Sequence, residues 1–216
     1  MFTDINSESI RRLTEAKSII TIIKNRELLR QCSLDSRIYK GSFFVLLYGA
    51  LEYTITSSVQ RSITFLNLHN YDTQNLKTTL YSLVFHNECN AIMDARDKKW
   101  SKRYDLFSQI NTNKICYIED SLFPTSNGNI KFEQMESIWK TFGISAEVCT
   151  DPKIKRRLSE IADNRNKIAH GRELASTVGA LYTTAEIENI YNDISAYCSY
   201  ITSIFDDYIT NEEFLV

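Results

Sequence analysis

Glycine and proline are scarce in this sequence, six and two among 216 residues. A chain with so few turn formers does not build the many short strands of a sandwich or barrel, and long unbroken helices are the expectation. Histidine is scarce too. His69, His86 and His170 are the three, and only His86 has another His or Cys at helical ligand spacing, Cys89; one such pair falls short of the three or four ligands a site needs, so neither a metal site nor a cofactor is expected. The five cysteines (Cys32, Cys89, Cys116, Cys149, Cys198) are odd in number and contain no Cys-x-x-Cys pair. Reduced thiols are expected, with no disulfide framework and no zinc knuckle. Charge of one sign is missing too: 25 Lys and Arg oppose 27 Asp and Glu, a net charge of −2. No whole-molecule field therefore draws the chain onto nucleic acid or an anionic membrane, and any such binding must be local. The longest apolar run, Phe43 to Leu51, falls far short of the roughly 20 residues a spanning helix needs. The first residues carry Asp4, Glu8, Arg11 and Arg12 and no apolar segment of a secretory signal. A cytoplasmic protein without membrane contact is the expectation.

What the chain does have is apolar periodicity. With 43% hydrophobic residues, among them 12 Tyr and 11 Phe, residues 1–216 suffice to bury a core as a single helical domain. Ile10, Leu13, Ile19, Ile20, Ile23 and Leu28 predict a first helix from Ser7 to about Leu29. Phe44, Leu47, Leu51, Ile55, Val59, Ile63 and Leu66 recur at spacings of three and four from about Tyr39 to Leu68. That predicts a helix of about 45 Å, the spine of the domain. Leu76, Leu80, Leu83, Val84 and Ile92 read as a third helix after Asp72 and Thr73. Residues 111–131 change character and read as an inserted loop or short hairpin. A short helix from Phe132 to Phe142 ends at Gly143. Pro152 opens a basic helix with Ile154, Leu158, Ile161 and Ile168 on its apolar face, and Gly171 ends it just after His170. Thr183 and Glu186 have capping-box spacing before a last helix rich in Ile and Tyr. The fold class that follows is all-α, an antiparallel helical bundle with a short inserted loop or hairpin.

The segment richest in chemistry is Asp163-Asn164-Arg165-Asn166-Lys167-Ile168-Ala169-His170-Gly171-Arg172. On a helix Asn166 and His170 share a face, Arg165 flanks them, and Ile168 and Ala169 are free to face the core. RNA cleavage without metal requires a base for the 2′-hydroxyl proton, an acid for the leaving oxygen, and positive charge at the phosphorane. An imidazole titrates near neutrality and serves either proton-transfer role, whereas a guanidinium stays charged and offers a fork to two phosphate oxygens. Asn166 adds a polar group without opposing charge. Seven Lys or Arg against two acids between Lys153 and Arg172 form a local phosphate footprint, with Arg156, Arg157, Lys167 and Arg172 as candidate RNA contacts.

Arg165 to Gly171 resembles the Arg-x4-6-His motif of HEPN (higher eukaryotes and prokaryotes nucleotide-binding) domains, and is most similar to the MAE-type nuclease branch. Leu46-Leu47-Tyr48-Gly49-Ala50-Leu51-Glu52 is similar to the apolar helix with an embedded acidic residue that precedes the motif helix there. The resemblance implies an antiparallel helical core and a homodimer that joins two Arg/His pairs in one cleft. It implies a metal-independent endoribonuclease with Arg165 and His170 catalytic and Asn166 and Glu52 supporting. It also implies single-stranded or tRNA-loop RNA as substrate, a toxin or phage-defence role, and an antitoxin or other defence protein as partner. The alternatives are a non-catalytic HEPN dimer that binds RNA, a nucleotide or a protein, and a structural subunit of a defence complex. His170 is followed by Gly171 and Arg172, not by the His-x-Tyr of relatives silenced by tyrosine adenylylation, so that regulation is not carried over.

Each feature also has a plainer reading. His170 suits the negative end of a helix, and Arg165 then pairs with Asp163 or Glu160 on the surface. Glu52 then lies at the bundle rim, reaching solvent. Arg96, Lys98, Lys99, Lys102 and Arg103, interleaved with Trp100 and Tyr104, either stack and neutralise RNA or form a solvated helix junction with the two aromatics in its core. His69 and His86 are then structural or surface residues.

Overall fold

In the computed structural model, which describes residues 1–29, 34–110, 112–125 and 129–216, every regular element is helical apart from the isolated bridges Asp72 to Ile115 and Leu76 to Leu215. Cys32 lies outside the described residues, and the other four cysteines are free. Helix α1 (Thr3–Leu28) begins four residues earlier than its periodicity suggests, and α2 (Leu34–Leu68) is the expected spine, five residues longer at its start. Fifteen residues of α2 are buried, the first Ser36 and the last Leu66, because the helix is covered by neighbours on more than one side.

Polar pairs record how the helices run. Asp4 meets Arg61, Ser9 meets Thr54 at 2.7 Å, and Glu27 meets Lys40, so α1 and α2 are antiparallel. Helix α9 (Thr184–Thr210) is antiparallel to α1 in turn, with Lys24 on Glu188 and the amino terminus on Asp206. Thr183 and Glu186 form the anticipated capping box. The tyrosines of α9 belong to the core: Tyr197 and Tyr208 are buried, and their hydroxyls donate to the carbonyls of Val148 and Phe142.

The predicted third helix is a correction. Residues 73–94 form two 3-10 turns (Thr73–Asn75, Thr78–Leu80), a single turn α3 (Tyr81–Val84), and a separate helix α4 (His86–Asp94). The chain turns repeatedly because its ends are tied elsewhere: Thr73 N–H donates to the Lys114 carbonyl and Lys77 N–H to the Phe214 carbonyl. Helix α5 (Lys99–Ile110), not among the expected helices, pairs with α4. Residues 112–125 and 129–131 contain no hairpin. They form an irregular strap that buries Cys116, Ile118 and Ile130 against the core.

Helix α6 (Phe132–Phe142) ends as expected at Gly143, whose φ of 64° is left-handed. Helix α7 (Lys153–Ala169) follows, antiparallel to α9: Arg157 meets Asp193, while Asn164, later in α7, meets Tyr182 just ahead of α9. A short helix α8 (Ala175–Gly179) then lies on α2 so closely that a Cβ at Gly41 would overlap the Ala175 carbonyl oxygen, and one at Gly179 the Arg37 carbonyl oxygen. The chain leaving α7 is thereby fastened to the spine.

Candidate active site

Helix α7 is held at both ends. Asp151 accepts the Lys153 N–H at 2.9 Å, which together with Lys153 keeps its carboxyl below the usual range. At the far end Gly171 N–H donates to Ile168 O (3.0 Å) and Arg172 N–H to Lys167 O (2.8 Å), with Gly171 at φ 66°. These two bonds are a Schellman motif, and they make His170 the last residue of near-helical conformation.

The buried face of α7 comprises Ile154, Leu158, Ile161, Ala162 and, less expectedly, Asn164. Asn164 Nδ2 donates to the Tyr182 hydroxyl at 2.7 Å, and the Tyr182 ring packs on Phe44 of α2 with centroids 4.8 Å apart. Ile168 is half-buried, but Ala169 is exposed, because the helix is already leaving the core at its last turn.

Arg165 projects from this anchored turn onto α2. Its guanidinium lies over the Tyr48 ring, 4.6 Å from the centroid, Nη1 donates to Asn166 Oδ1 at 2.9 Å, and Nη2 stands 4.0 Å from Glu52 Oε2. The plainer pairing of Arg165 with Asp163 or Glu160 does not occur: Asp163 binds Lys131 (2.6 Å) and Glu160 binds Arg157 (2.8 Å). Glu52 faces Arg165, and its side chain is 37% exposed. His170 is exposed, and its ring has no hydrogen-bond partner among the described residues.

Tyr48 is the residue that sequence reasoning missed. Its ring is buried, and its hydroxyl accepts the Ile130 N–H at 2.9 Å. Burial pushes its phenol up, the Ile130 bond opposes that, and the nearby Glu52 and Arg165 charges act in opposite directions. A neutral ring face therefore underlies the cation, and the strap around Ile130 and Lys131 holds both that ring and Asp163 of α7. The signal was present in the sequence: Tyr48 and Glu52 are four apart, hence on one face of α2.

The strap that positions Tyr48 and the turn that positions His170 both lie within the stretch matched by a family model described as RiboL-PSP-HEPN, residues 7–209. The chain belongs to that family. No curated protein and no solved structure matches it. This HEPN chain is all-α, and the match covers α2 and α7, the two helices that carry Tyr48, Glu52, Arg165 and His170.

The candidate RNA contacts divide. Arg156 and Arg172 are exposed, whereas Lys167 pairs with Glu173 at 3.0 Å. Arg157 is a correction: Glu160 and Asp193 clamp it, its side chain is 13% exposed, and it ties α7 to α9 rather than facing a phosphate. His69 stacks on Phe65, and His86 bonds Asn90, both away from α7. Among the described residues no group of three or more His, Cys, Asp or Glu is arranged to hold a metal ion, and no helix is long and apolar enough to cross a membrane.

Proposed function

We propose that this HEPN chain is a metal-independent endoribonuclease of the kind the MAE-type resemblance implies, with His170 in proton transfer and Arg165 on the phosphate. The observation that carries the reading is the contrast between the two groups. Arg165 is pre-positioned by Tyr48, Asn166 and Glu52, while His170, five residues on, is exposed and has no hydrogen-bond partner for its ring among the described residues. The 2′-oxygen attacks the adjacent phosphorus, the bond to the 5′-oxygen breaks, a base accepts the 2′ proton and an acid protonates the leaving oxygen. The products carry a 2′,3′-cyclic phosphate and a 5′-hydroxyl. Arg165 faces the phosphorane oxygens with a charge that needs no proton to act.

One pair is not enough. A single Arg/His pair holds one proton-transfer group, His170, because a guanidinium stays charged. Two proton transfers call for two groups. A homodimer supplies them, and α2 offers a face for it. Ile38, Val45, Gly49 and Glu52 fall on one stripe, Ile38 and Val45 are exposed, and a Cβ at Gly49 would meet nothing. Exposed Leu46 lies beside them. The substrate is RNA, single-stranded or in a tRNA loop, and the biological role is that of a toxin or phage-defence effector under control of an antitoxin or another defence protein.

The deciding experiment is cleavage of total cellular RNA and purified tRNA in EDTA by the wild type and His170→Ala, with end-group analysis. Cleavage by the wild type alone, leaving cyclic phosphate ends, is the expected outcome. Absence of cleavage by both, with RNA or a protein partner bound equally, would replace the enzyme by the non-catalytic binding dimer.

A further inference from the structure

Helices α4 and α5 form an arm whose chemistry the Arg165 and His170 site does not use. Neither helix contains a buried residue, and only Leu106 and Ile110 lean on the core margin. On α5 the aromatics Trp100, Tyr104 and Phe107 follow the spacing i, i+4, i+7, which puts them on one face over about 10 Å. They are 79%, 74% and 64% exposed, the opposite of the aromatic junction core that one reading of the sequence expects. They border an open groove of about 650 Å³ together with Ile92, Arg103 and Leu106. Arg96, Lys98, Lys99, Lys102 and Arg103 are all exposed, and none is in an ion pair among the described residues. Asp97 is the one acid inside that run, with Asp94 and Asp105 flanking it.

We infer that the α4–α5 arm is a single-stranded RNA platform on which bases stack against Trp100, Tyr104 and Phe107 while Lys99 and Arg103 meet the phosphates. The combination of exposed π-faces and adjacent free cations is what a sequence-tolerant single-strand site requires. Arg103 already shows that the Trp100 face accepts a planar partner, its guanidinium lying 4.9 Å from the ring centroid. Lys99 and Arg103 are four apart, so they edge the aromatic stripe on one side as a backbone would demand. A second copy of the arm is a poor occupant, because Lys99 and Arg103 beside one set of rings would face the same two cations beside the other. Polyanionic RNA satisfies both the rings and the charge. The inference rests on RNA being the ligand of the proposed nuclease but assigns it a surface separate from Arg165 and His170.

The test uses the full chain carrying His170→Ala, so that the probe survives, titrated with a 12-nucleotide oligouridylate and with the same strand in a duplex. Trp139 is buried, so emission quenched by the single strand reports Trp100, and Trp100→Phe should abolish the quench while largely sparing affinity. Trp100→Ala/Tyr104→Ala/Phe107→Ala should weaken single-strand binding by roughly 30-fold or more with an unchanged melting temperature. Lys99→Ala/Arg103→Ala, a pair of exposed changes that serves even if the triple variant misfolds, should lower the slope of log K against log salt by about 1.4. An unchanged affinity and salt slope in the variants would overturn the platform, as would loss of anionic-vesicle binding or of self-association with RNA binding intact. Failure of the nuclease reading looks different. A wild type that never cuts RNA, yet whose Trp100 is quenched and whose arm variants release the strand, leaves the platform standing. A wild type that cuts through His170 while its arm variants bind as before leaves only the nuclease.

Discussion

The α2–α7 junction and the α4–α5 arm both display aromatic rings beside arginines, yet the rings do opposite work. At the junction Tyr48 is buried, bonded to Ile130, and lies under Arg165, so the ring fixes the cation in place. On the arm Trp100 is 79% exposed and Arg103 rests on it from solvent, so neither group is needed by the fold. A ring with its edges packed and its hydroxyl bonded behaves as scaffold, and a ring left largely exposed behaves as a binding surface. The same pairing of an arginine with an aromatic ring thus acquires different roles from burial and partners.

The contrast breaks most sharply on aromatic deletion. Phe44→Ala should cost about 3–5 kcal/mol of stability, since the ring is fully buried between Phe43 and Tyr182, whereas Trp100→Ala should stay within about 0.5 kcal/mol. Urea unfolding of the two variants measures both, and comparable losses would mean that the arm is part of the core. Tyr48→Phe is the next step down. It keeps the ring under Arg165 but leaves the Ile130 N–H without its acceptor, for an expected loss of about 1–3 kcal/mol. RNA cleavage by the folded fraction should survive that change and fall in Tyr48→Ala, which also removes the support of the guanidinium. Gly171→Ala is smaller again, about 1 kcal/mol, because its φ of 66° is strained for any Cβ even though the space is open. Its cleavage rate should fall further than its stability, since the strained bond directly follows His170.

These effects also show which features were readable in advance. The ends of α6, α7 and α9 were legible because Gly143, Gly171 and the Thr183 and Glu186 pair act locally, through backbone conformation and nearest hydrogen bonds. Arg165, Asn166, Glu52 and His170 were legible as types and spacings, but the Tyr48 support required knowing that residue 130 comes back across α2. That contact spans 82 residues and leaves no periodic trace. Arg157 illustrates the converse: a basic residue in a basic run reads as a phosphate ligand until Asp193, on another helix, is found beside it. Helix α5 does carry a helical stripe in its sequence, Trp100, Tyr104 and Phe107, but that stripe faces solvent, whereas such a stripe is usually taken as evidence of a core.

The smallest effect separates the fold from the dimer. Gly41 and Gly49 are eight residues apart on α2, and the first is pressed against α8 while the second faces open space. Gly41→Ala therefore clashes with backbone and should destabilise. Gly49→Ala replaces a poor helix former in mid-helix and should stabilise by about 0.5–1 kcal/mol. If the stripe of Ile38, Val45 and Gly49 seats a second copy, the added methyl intrudes where two helices approach closely, and the dimer population at low micromolar concentration should drop even as the melting temperature rises. Sedimentation of the variant beside a thermal melt reads the two quantities independently. A rise in stability with an unchanged oligomeric state would move the proposed interface off this face of α2, and with it the proposed joining of two Arg165 and His170 pairs.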